Sequence, residues 1–225
     1  MDKNYNQIAS ESSAERLFNS ITHGVGSVLS VVALILMVVY ASYNSDAWSI
    51  VGVSVFGATL ILLYMSSTLY HAFPRGRVKQ IFKTLDQSFI YLLIAGTYTP
   101  VLLITLRTTL GWTVFGLIWA MAIGGITHRI FFPGKLKTLS LISYITMGWL
   151  SLIVFKSLLN AAPVGLVVWL LIGGVFYTGG LIFYNWERLP FNHAIWHLSV
   201  LGGSFSHFMG IRSEEHTSEL QSRAY

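Results

Sequence analysis

Seven stretches of mostly apolar residues follow one another along the chain. Roughly 20 mostly apolar residues are needed for a helix to cross the hydrocarbon core of a membrane, so each stretch predicts one transmembrane helix. The predicted spans are residues 25–43, 48–73, 86–106, 110–131, 139–158, 163–184 and 193–211. Short polar segments connect them. The pattern therefore predicts an all-α, seven-transmembrane helix bundle without a separate soluble domain.

The composition supports a membrane protein and argues against a nucleic-acid-binding one. Of the 225 residues, 54% are hydrophobic and only 10% are charged, whereas soluble domains have about 25% charged residues. The net charge of +5 is typical of some nucleic-acid-binding proteins, but here the basic residues lie in short loops between apolar stretches. We therefore expect a multi-pass protein of the cell (plasma) membrane whose partners are membrane lipids, with no nucleic acid.

The distribution of lysine and arginine predicts the orientation in the membrane. Cytoplasmic loops carry an excess of these residues, and two loops on one side of the predicted bundle carry only Arg107 and Lys156. The segments on the other side carry ten basic residues: Lys3, Arg16, Arg75, Arg77, Lys79, Lys83, Arg129, Lys135, Lys137 and Arg188. This bias predicts a cytoplasmic N-terminal segment, residues 1–24, and a C-terminus outside the cell.

The residues that follow the seventh span differ in character from the rest of the chain. Residues 212–222 read Arg-Ser-Glu-Glu-His-Thr-Ser-Glu-Leu-Gln-Ser, a string that resembles the translation of a common sequencing adapter. We interpret residues 212–225 as an artificial tail in place of the true end of the last helix, and residues 25–211 as the membrane domain. A genuine polar tail is the alternative.

Four ionisable residues lie at the ends of predicted spans on one side of the membrane. His71 ends the second span, Asp86 begins the third, and His193 and His197 lie near the start of the seventh. Residues four apart on a helix share a face, so His193 and His197 point the same way, as do Ser67 and His71. Intramembrane ionisable residues usually face the bundle interior and serve a function. Together these residues predict a site near the cytoplasmic face.

The residue types in this group suggest a metal. Three imidazoles and one open position are a common arrangement around catalytic zinc, and magnesium and calcium prefer oxygen ligands. We therefore predict that His71, His193 and His197 bind zinc. Bound zinc lowers the pKa of water to about 7; Asp86 would orient that water or accept its proton, and Ser67 would support it with a hydrogen bond. A proton relay of histidine and aspartate, or histidines simply placed at the membrane surface, are the alternatives.

These motifs resemble those of a known family. The chain is similar to the bacterial hemolysin III branch of the progestin and adiponectin receptor (PAQR) superfamily, over nearly its whole length up to residue 211. The matching motifs are the segment 19–26, Ser67 with His71, Asp86 within 85–88, and the pair His193 and His197.

The resemblance implies a seven-helix fold with a cytoplasmic N-terminus and a zinc ion bound by His71, His193 and His197. It also implies that Asp86 and Ser67 support the zinc-bound water. Eukaryotic relatives are linked to hydrolysis of ceramide-like amides, whereas bacterial members carry the hemolysin name and are connected with membrane-lipid fluidity.

Three other polar or kinking residues carry expectations of their own. We interpret His23, at the inner start of the first span, as a helix-entry histidine satisfied by water; the alternative is that it lines the mouth of the site. His207 lies 14 residues after His193, about 21 Å along the helix, so it is too distant for the same metal and is expected to be buried and hydrogen-bonded. Pro100 should kink the third span.

Three functions are compatible with the sequence. The first is a zinc-dependent membrane hydrolase acting on a lipid amide or ester in membrane lipid homeostasis. The second is a receptor or regulator of membrane composition in which zinc is structural. The third is a cytolytic pore, against which the apolar spans and the lack of an amphipathic insertion segment argue.

Overall fold

The protein is helical throughout the described residues, 12–133 and 137–223 of a computed structural model. The helices are α1 (Ser13–Asn44), α2 (Ala47–Ala72), α3 (Arg77–Pro100), α4 (Thr109–Phe131), α5 (Lys137–Gly148), α6 (Phe155–Ala161), α7 (Val164–Asn185) and α8 (Asn192–Arg223). Across these two ranges there is no strand, which confirms the predicted all-α class. Residues 1–11 of the predicted N-terminal segment, Lys135 and residues 224–225 lie outside the described residues.

Most of the predicted spans correspond to helices that are long and apolar enough to cross a membrane. Among the described residues, α1, α2, α3, α4 and α7 qualify, and α5 and α6 together form a bent sixth candidate. Helix α8 is 32 residues long, but its histidines, serines and charged last turns keep it outside this group. It also continues through residue 211, where the sequence predicted the last span to end. The chain is thus an all-α membrane bundle, and the count of seven spans and the orientation stay predictions.

The fifth predicted span, 139–158, is broken rather than continuous. A 3-10 helix, Trp149–Ile153, follows α5, and α6 is bent from it by 52°. The hydroxyl of Tyr98 reaches into this break from α3. It lies 2.9 Å from the carbonyl oxygens of both Met147 and Gly148 and accepts a 2.7 Å hydrogen bond from the backbone N–H of Ser151. Irregular backbone at membrane depth requires such partners.

Helix α3 changes register at Pro100, where the sequence predicted a kink. Proline has no N–H to donate, and the chain continues as a π-helical turn, Val101–Thr105, closed by a 3.2 Å bond from the Leu106 N–H to the Val101 carbonyl. Gly52 of α2 lies against this proline, since a Cβ there would stand 2.9 Å from the Pro100 Cα. The irregular turn is therefore held by close packing against α2.

The order of packing brings several helix ends together. Helices α1, α2 and α3 pack in series, α7 packs against α8, and α8 closes onto α1. Glycines allow the close approach of α7 and α8, with Gly180 against Ser199 and Gly203 against Tyr177. The start of α1, the end of α2 and the starts of α3 and α8 meet at one end of the bundle, which we call the histidine end.

Candidate metal centre

Three imidazoles converge at the histidine end. His71 projects from the last turn of α2, and His193 and His197 from the first two turns of α8. One nitrogen or another of each ring lies within 4.8 Å of those of the other two, and the ring centroids are 4.6 to 5.1 Å apart. Nitrogens bound to one zinc ion lie roughly 3.3 Å apart, a spacing that small rotations of these side chains would give. The structure thus brings together the three histidines that the sequence singled out.

A hydrogen bond fixes the tautomer of His197. Its Nδ1 lies 3.2 Å from the carbonyl oxygen of Asn19 and 3.2 Å from Oγ1 of Thr22. A carbonyl can only accept, so Nδ1 carries the proton and donates. The Thr22 hydroxyl donates to backbone carbonyls of its own helix, including that of Phe18 at 2.9 Å, and its lone pairs face His197. The Nε2 lone pair of His197 is therefore available for a metal, the usual arrangement behind a ligating histidine.

A fourth histidine, His23 of α1, belongs to the same cluster. Its side chain is only 3% exposed, and its ring stacks on that of His197 with centroids 3.5 Å apart and planes 12° from parallel. Neither ring nitrogen has a hydrogen-bond partner among the described atoms. Our interpretation of His23 as a helix-entry histidine satisfied by water is therefore wrong, because α8 covers it, and the alternative position at the mouth of the site is correct.

Sequence reasoning missed the second role of this part of α1. Asn19, Thr22 and His23 stand at i, i+3 and i+4, which places them on one helical face, and that face meets His197. The spacing alone was visible in the sequence. Its partner was not, because only the packing of α1 against α8 shows which helix the face meets.

Asp86 and Ser67 flank the three histidines in different ways. Asp86 lines the same cavity as the histidines and interacts electrostatically with His71, Ser67 and Lys83. Ser67 is fully buried behind the cavity wall, and its hydroxyl has no hydrogen bond of normal geometry with another described atom. A carboxylate thus stands beside the imidazoles, and the Ser67 hydroxyl lies within electrostatic range of it.

A cavity of about 770 Å³ extends from the histidines into the bundle. Both Asp86 and Val101 line it, and 15 residues of helix separate them, about 22 Å along α3. Most of its length is bordered by aliphatic side chains: Leu63, Ile90, Leu93, Leu102, Val154, Leu158, Val167 and Leu170. A polar cluster at one end and an apolar tunnel behind it are suited to an amphiphilic ligand with an acyl chain.

His207 lies deeper in the same cavity, away from the three histidines. It is 9% exposed, and its Nε2 donates a 3.3 Å hydrogen bond to the carbonyl of Leu170 in α7. The ring also lies 5.4 Å from that of Tyr177. It is the buried, hydrogen-bonded histidine that the sequence predicted.

Comparisons with known proteins agree with this arrangement. The sequence profile of the family described as haemolysin-III related matches residues 12–208. The chain is 51% identical to Hemolysin-3 of Bacillus cereus over 84% of this chain and 87% of that protein. It is 45% identical to the Hemolysin-3 homolog of Bacillus subtilis (strain 168), over 86% and 91%.

A more distant relative comes from animals. The human monocyte to macrophage differentiation factor is 30% identical over 88% of this chain and 83% of its own length. The family match covers every helix that contributes to the histidine cluster and the cavity. The chain is therefore a multi-pass membrane protein that belongs to the haemolysin-III related family.

Proposed function

We propose that this protein is a zinc-dependent hydrolase of a lipid amide or ester, active in the cell membrane and serving membrane lipid homeostasis. One observation carries the proposal: three imidazoles and a carboxylate converge at the polar end of an apolar cavity about 22 Å long. The PAQR-like motifs of the sequence support the same function. Hydrolysis of a lipid needs these two parts together, a site that activates water and a channel that holds the acyl chain.

The three histidines would hold the ion. His71, His193 and His197 supply neutral nitrogen donors, and zinc favours such donors in an incomplete set of three. The bond from His197 Nδ1–H to the Asn19 carbonyl supports this donor set because it directs the other nitrogen of the ring to the metal. When bound, zinc acts as a Lewis acid that polarises a carbonyl and makes water acidic near neutral pH.

The chain's own residues would supply the proton transfer and the positioning. Asp86 lines the cavity beside the histidines, so its carboxylate is placed to accept a proton from a reacting water and to return it to the leaving group. The Ser67 hydroxyl lies near Asp86 and would donate a hydrogen bond that holds one carboxylate oxygen in place. The aliphatic lining excludes water from the acyl chain and fixes the scissile bond at the polar end.

The basic residues predict which leaflet supplies the substrate. Arg75, Arg77, Lys83 and Arg188 all lie at the histidine end, and such residues favour the cytoplasmic side. We therefore propose that the lipid enters from the cytoplasmic leaflet.

Metal content and turnover, measured on the same purified samples, test the proposal. We expect one zinc per wild-type chain by elemental analysis, and loss of that zinc in the double variant His193→Ala with His197→Ala. Asp86→Asn should retain zinc and lose turnover of ceramide and acyl-ester substrates by about 100-fold or more. Asp46→Asn, a carboxylate at the opposite end of the bundle, is the matched control and should keep both.

Two outcomes would redirect the interpretation. Zinc that is present and raises thermal stability, with no turnover of any lipid amide or ester, would leave a receptor or regulator with structural zinc. No zinc in carefully handled wild type would overturn the hydrolase.

The name of the Bacillus cereus relative, Hemolysin-3, favours a cytolytic pore as a second candidate. Purified protein in liposomes tests it directly. Leakage of an entrapped dye at low protein-to-lipid ratios would support a pore, whereas intact liposomes that contain correctly folded protein would exclude one.

A further inference from the structure

A buried arginine lines the cavity close to the histidine cluster. Arg129, in the last turn of α4, is 4% exposed and borders the same cavity as Asp86 and His193. Its Nε has no hydrogen-bond partner among the described atoms. Arginine is rarely buried in this way unless an anion accompanies it.

The chain offers Arg129 no anion within residues 12–133 and 137–223. No carboxylate of those residues lies within ion-pair distance of its guanidinium. The acidic residues that line the cavity are engaged elsewhere. Glu15 accepts hydrogen bonds from the backbone N–H groups of Ser12 and Phe191, and Asp86 interacts with His71 and Lys83. Glu187, at the rim, has an interaction of its own. A buried, uncompensated charge is strongly unfavourable, so an anionic ligand is the missing partner.

Two tyrosines complete the surroundings of this arginine. The guanidinium lies nearest the hydroxyl of Tyr144 and also acts on that of Tyr184. The Tyr144 hydroxyl donates a 2.8 Å hydrogen bond to the Gln87 carbonyl, which positions its oxygen. The ring of Tyr184 lies 5.8 Å from that of His193. One tyrosine ring therefore separates the arginine from the histidine cluster.

We propose that Arg129 binds the phosphate group of a lipid whose acyl chain occupies the cavity. The planar guanidinium donates paired hydrogen bonds to phosphate oxygens, and the Tyr184 hydroxyl is a further donor. Lys83 and Arg188 line the same mouth, so three cations surround the position, which favours the more highly charged phosphate over a carboxylate. Arg129 lies at the end of a membrane-spanning helix, the depth at which lipid phosphates stand. As a substrate assignment this rests on the proposed hydrolase, but the binding itself does not require the metal.

Lipid binding by the purified full-length protein in an uncharged detergent tests the site. The probes are dioleoyl phosphatidic acid, dioleoylglycerol with the same chains but no phosphate, and inorganic phosphate alone. We expect the wild type to bind phosphatidic acid about 10-fold or more tightly than dioleoylglycerol, and Arg129→Gln to lose this preference. Arg77→Gln is the matched control, because Arg77 is exposed at the same end of the bundle and does not line the cavity; it should bind as wild type does.

The remaining arms separate the alternatives. Arg129→Lys, which keeps the charge without the paired donors, should show an intermediate preference, and it replaces Arg129→Gln if that variant does not fold. Inorganic phosphate that competes with phosphatidic acid at equal concentration would show free phosphate to be the ligand and overturn the lipid assignment. Equal binding of the two lipids by the wild type, or an undiminished preference in both Arg129 variants, would overturn the site. Zinc content measured on the same samples distinguishes this result from failure of the hydrolase, since a zinc-free protein that still prefers phosphatidic acid refutes only the latter.

Discussion

The imidazole of His23 stacks on that of His197, with ring centroids 3.5 Å apart. The other side of His23 meets the ring of Tyr64 edge-on, at 4.9 Å, and the Tyr64 hydroxyl donates a 2.7 Å hydrogen bond to Ser204 of α8. His23 is thus held between α2 and α8, and it holds His197 in turn. The orientation of a candidate ligand in α8 therefore depends on a side chain from α1 that is not itself one of the three converging histidines.

This stacking predicts that the ring of His23, rather than its nitrogens, matters for metal binding. His23→Ala should lower zinc affinity by about 10-fold, because His197 loses the surface that orients it. His23→Phe keeps a flat ring and should restore the affinity to near the wild-type value. Competition for zinc with a chromogenic chelator measures both, with circular dichroism as the check on folding. If His23→Phe binds zinc as weakly as His23→Ala, the imidazole nitrogens take part and the stacking explanation is wrong.

The hydrogen bond from His197 to Thr22 predicts a smaller effect. Thr22→Val keeps the shape of the side chain and removes one of the two acceptors of the Nδ1 proton, while the Asn19 carbonyl remains. Zinc affinity should therefore fall by no more than about 10-fold. The same chelator competition measures it. The control is Thr113→Val in α4, whose hydroxyl bonds only within its own helix, and equal zinc affinities for the two variants would show that Thr22 does not support His197.

Helix class and the convergence of the three histidines could be predicted from the sequence, because both follow from periodicity. Apolar stretches of membrane length give the helices, and alternating direction places His71 and the start of α8 at one end. The break near residue 150 could not be predicted. It depends on the Tyr98 hydroxyl, which reaches α5 from a helix about 50 residues earlier and satisfies backbone groups that a regular helix would pair internally.

The cavity wall was beyond sequence analysis for the same reason. Arg129 reads as one more cytoplasmic basic residue at the end of a span, like its neighbours in the charge pattern. Its burial beside Tyr144 and Tyr184 results from how α4, α5 and α7 pack together. Local sequence carries no record of that packing, so the pattern gave its side of the membrane and not its surroundings.

Two adjacent glycines of α4 predict opposite stability effects. A Cβ at Gly125 would overlap the ring of Tyr91, which is 2% exposed and hydrogen-bonded to Ser143 at 2.7 Å, whereas a Cβ at Gly124 meets nothing within 4 Å. Gly125→Ala should therefore lower the free energy of unfolding by about 1–3 kcal/mol. Gly124→Ala should be neutral or stabilise by up to about 1 kcal/mol through helix propensity. Thermal unfolding in detergent compares them, and equal melting temperatures would mean that α3 and α4 separate easily enough to admit the methyl group.

Asp46, between α1 and α2, predicts a pH-dependent contribution to stability. Partial burial opposes its ionisation, but hydrogen bonds from the Ser49 N–H and hydroxyl, with Arg107 at 2.6 Å, outweigh it and hold the pKa of Asp46 below its ordinary value of 3.8. A carboxyl with a lowered folded-state pKa stabilises the folded protein fully above its unfolded pKa, and the contribution disappears as the pH falls through the folded value.

Substitutions at Asp46 separate the helix cap from the charge. Asp46→Ala should lower the free energy of unfolding by about 1 kcal/mol through loss of the N-cap of α2. Asp46→Asn keeps a capping oxygen and should lose less than about 1 kcal/mol, since the pair with Arg107 is nearly half exposed. Unfolding followed from about pH 6 to about pH 3 should show the difference between wild type and Asp46→Asn above pH 3.8 and its disappearance below. A difference that persists unchanged at the lowest pH would mean that the ionised carboxylate is not its source.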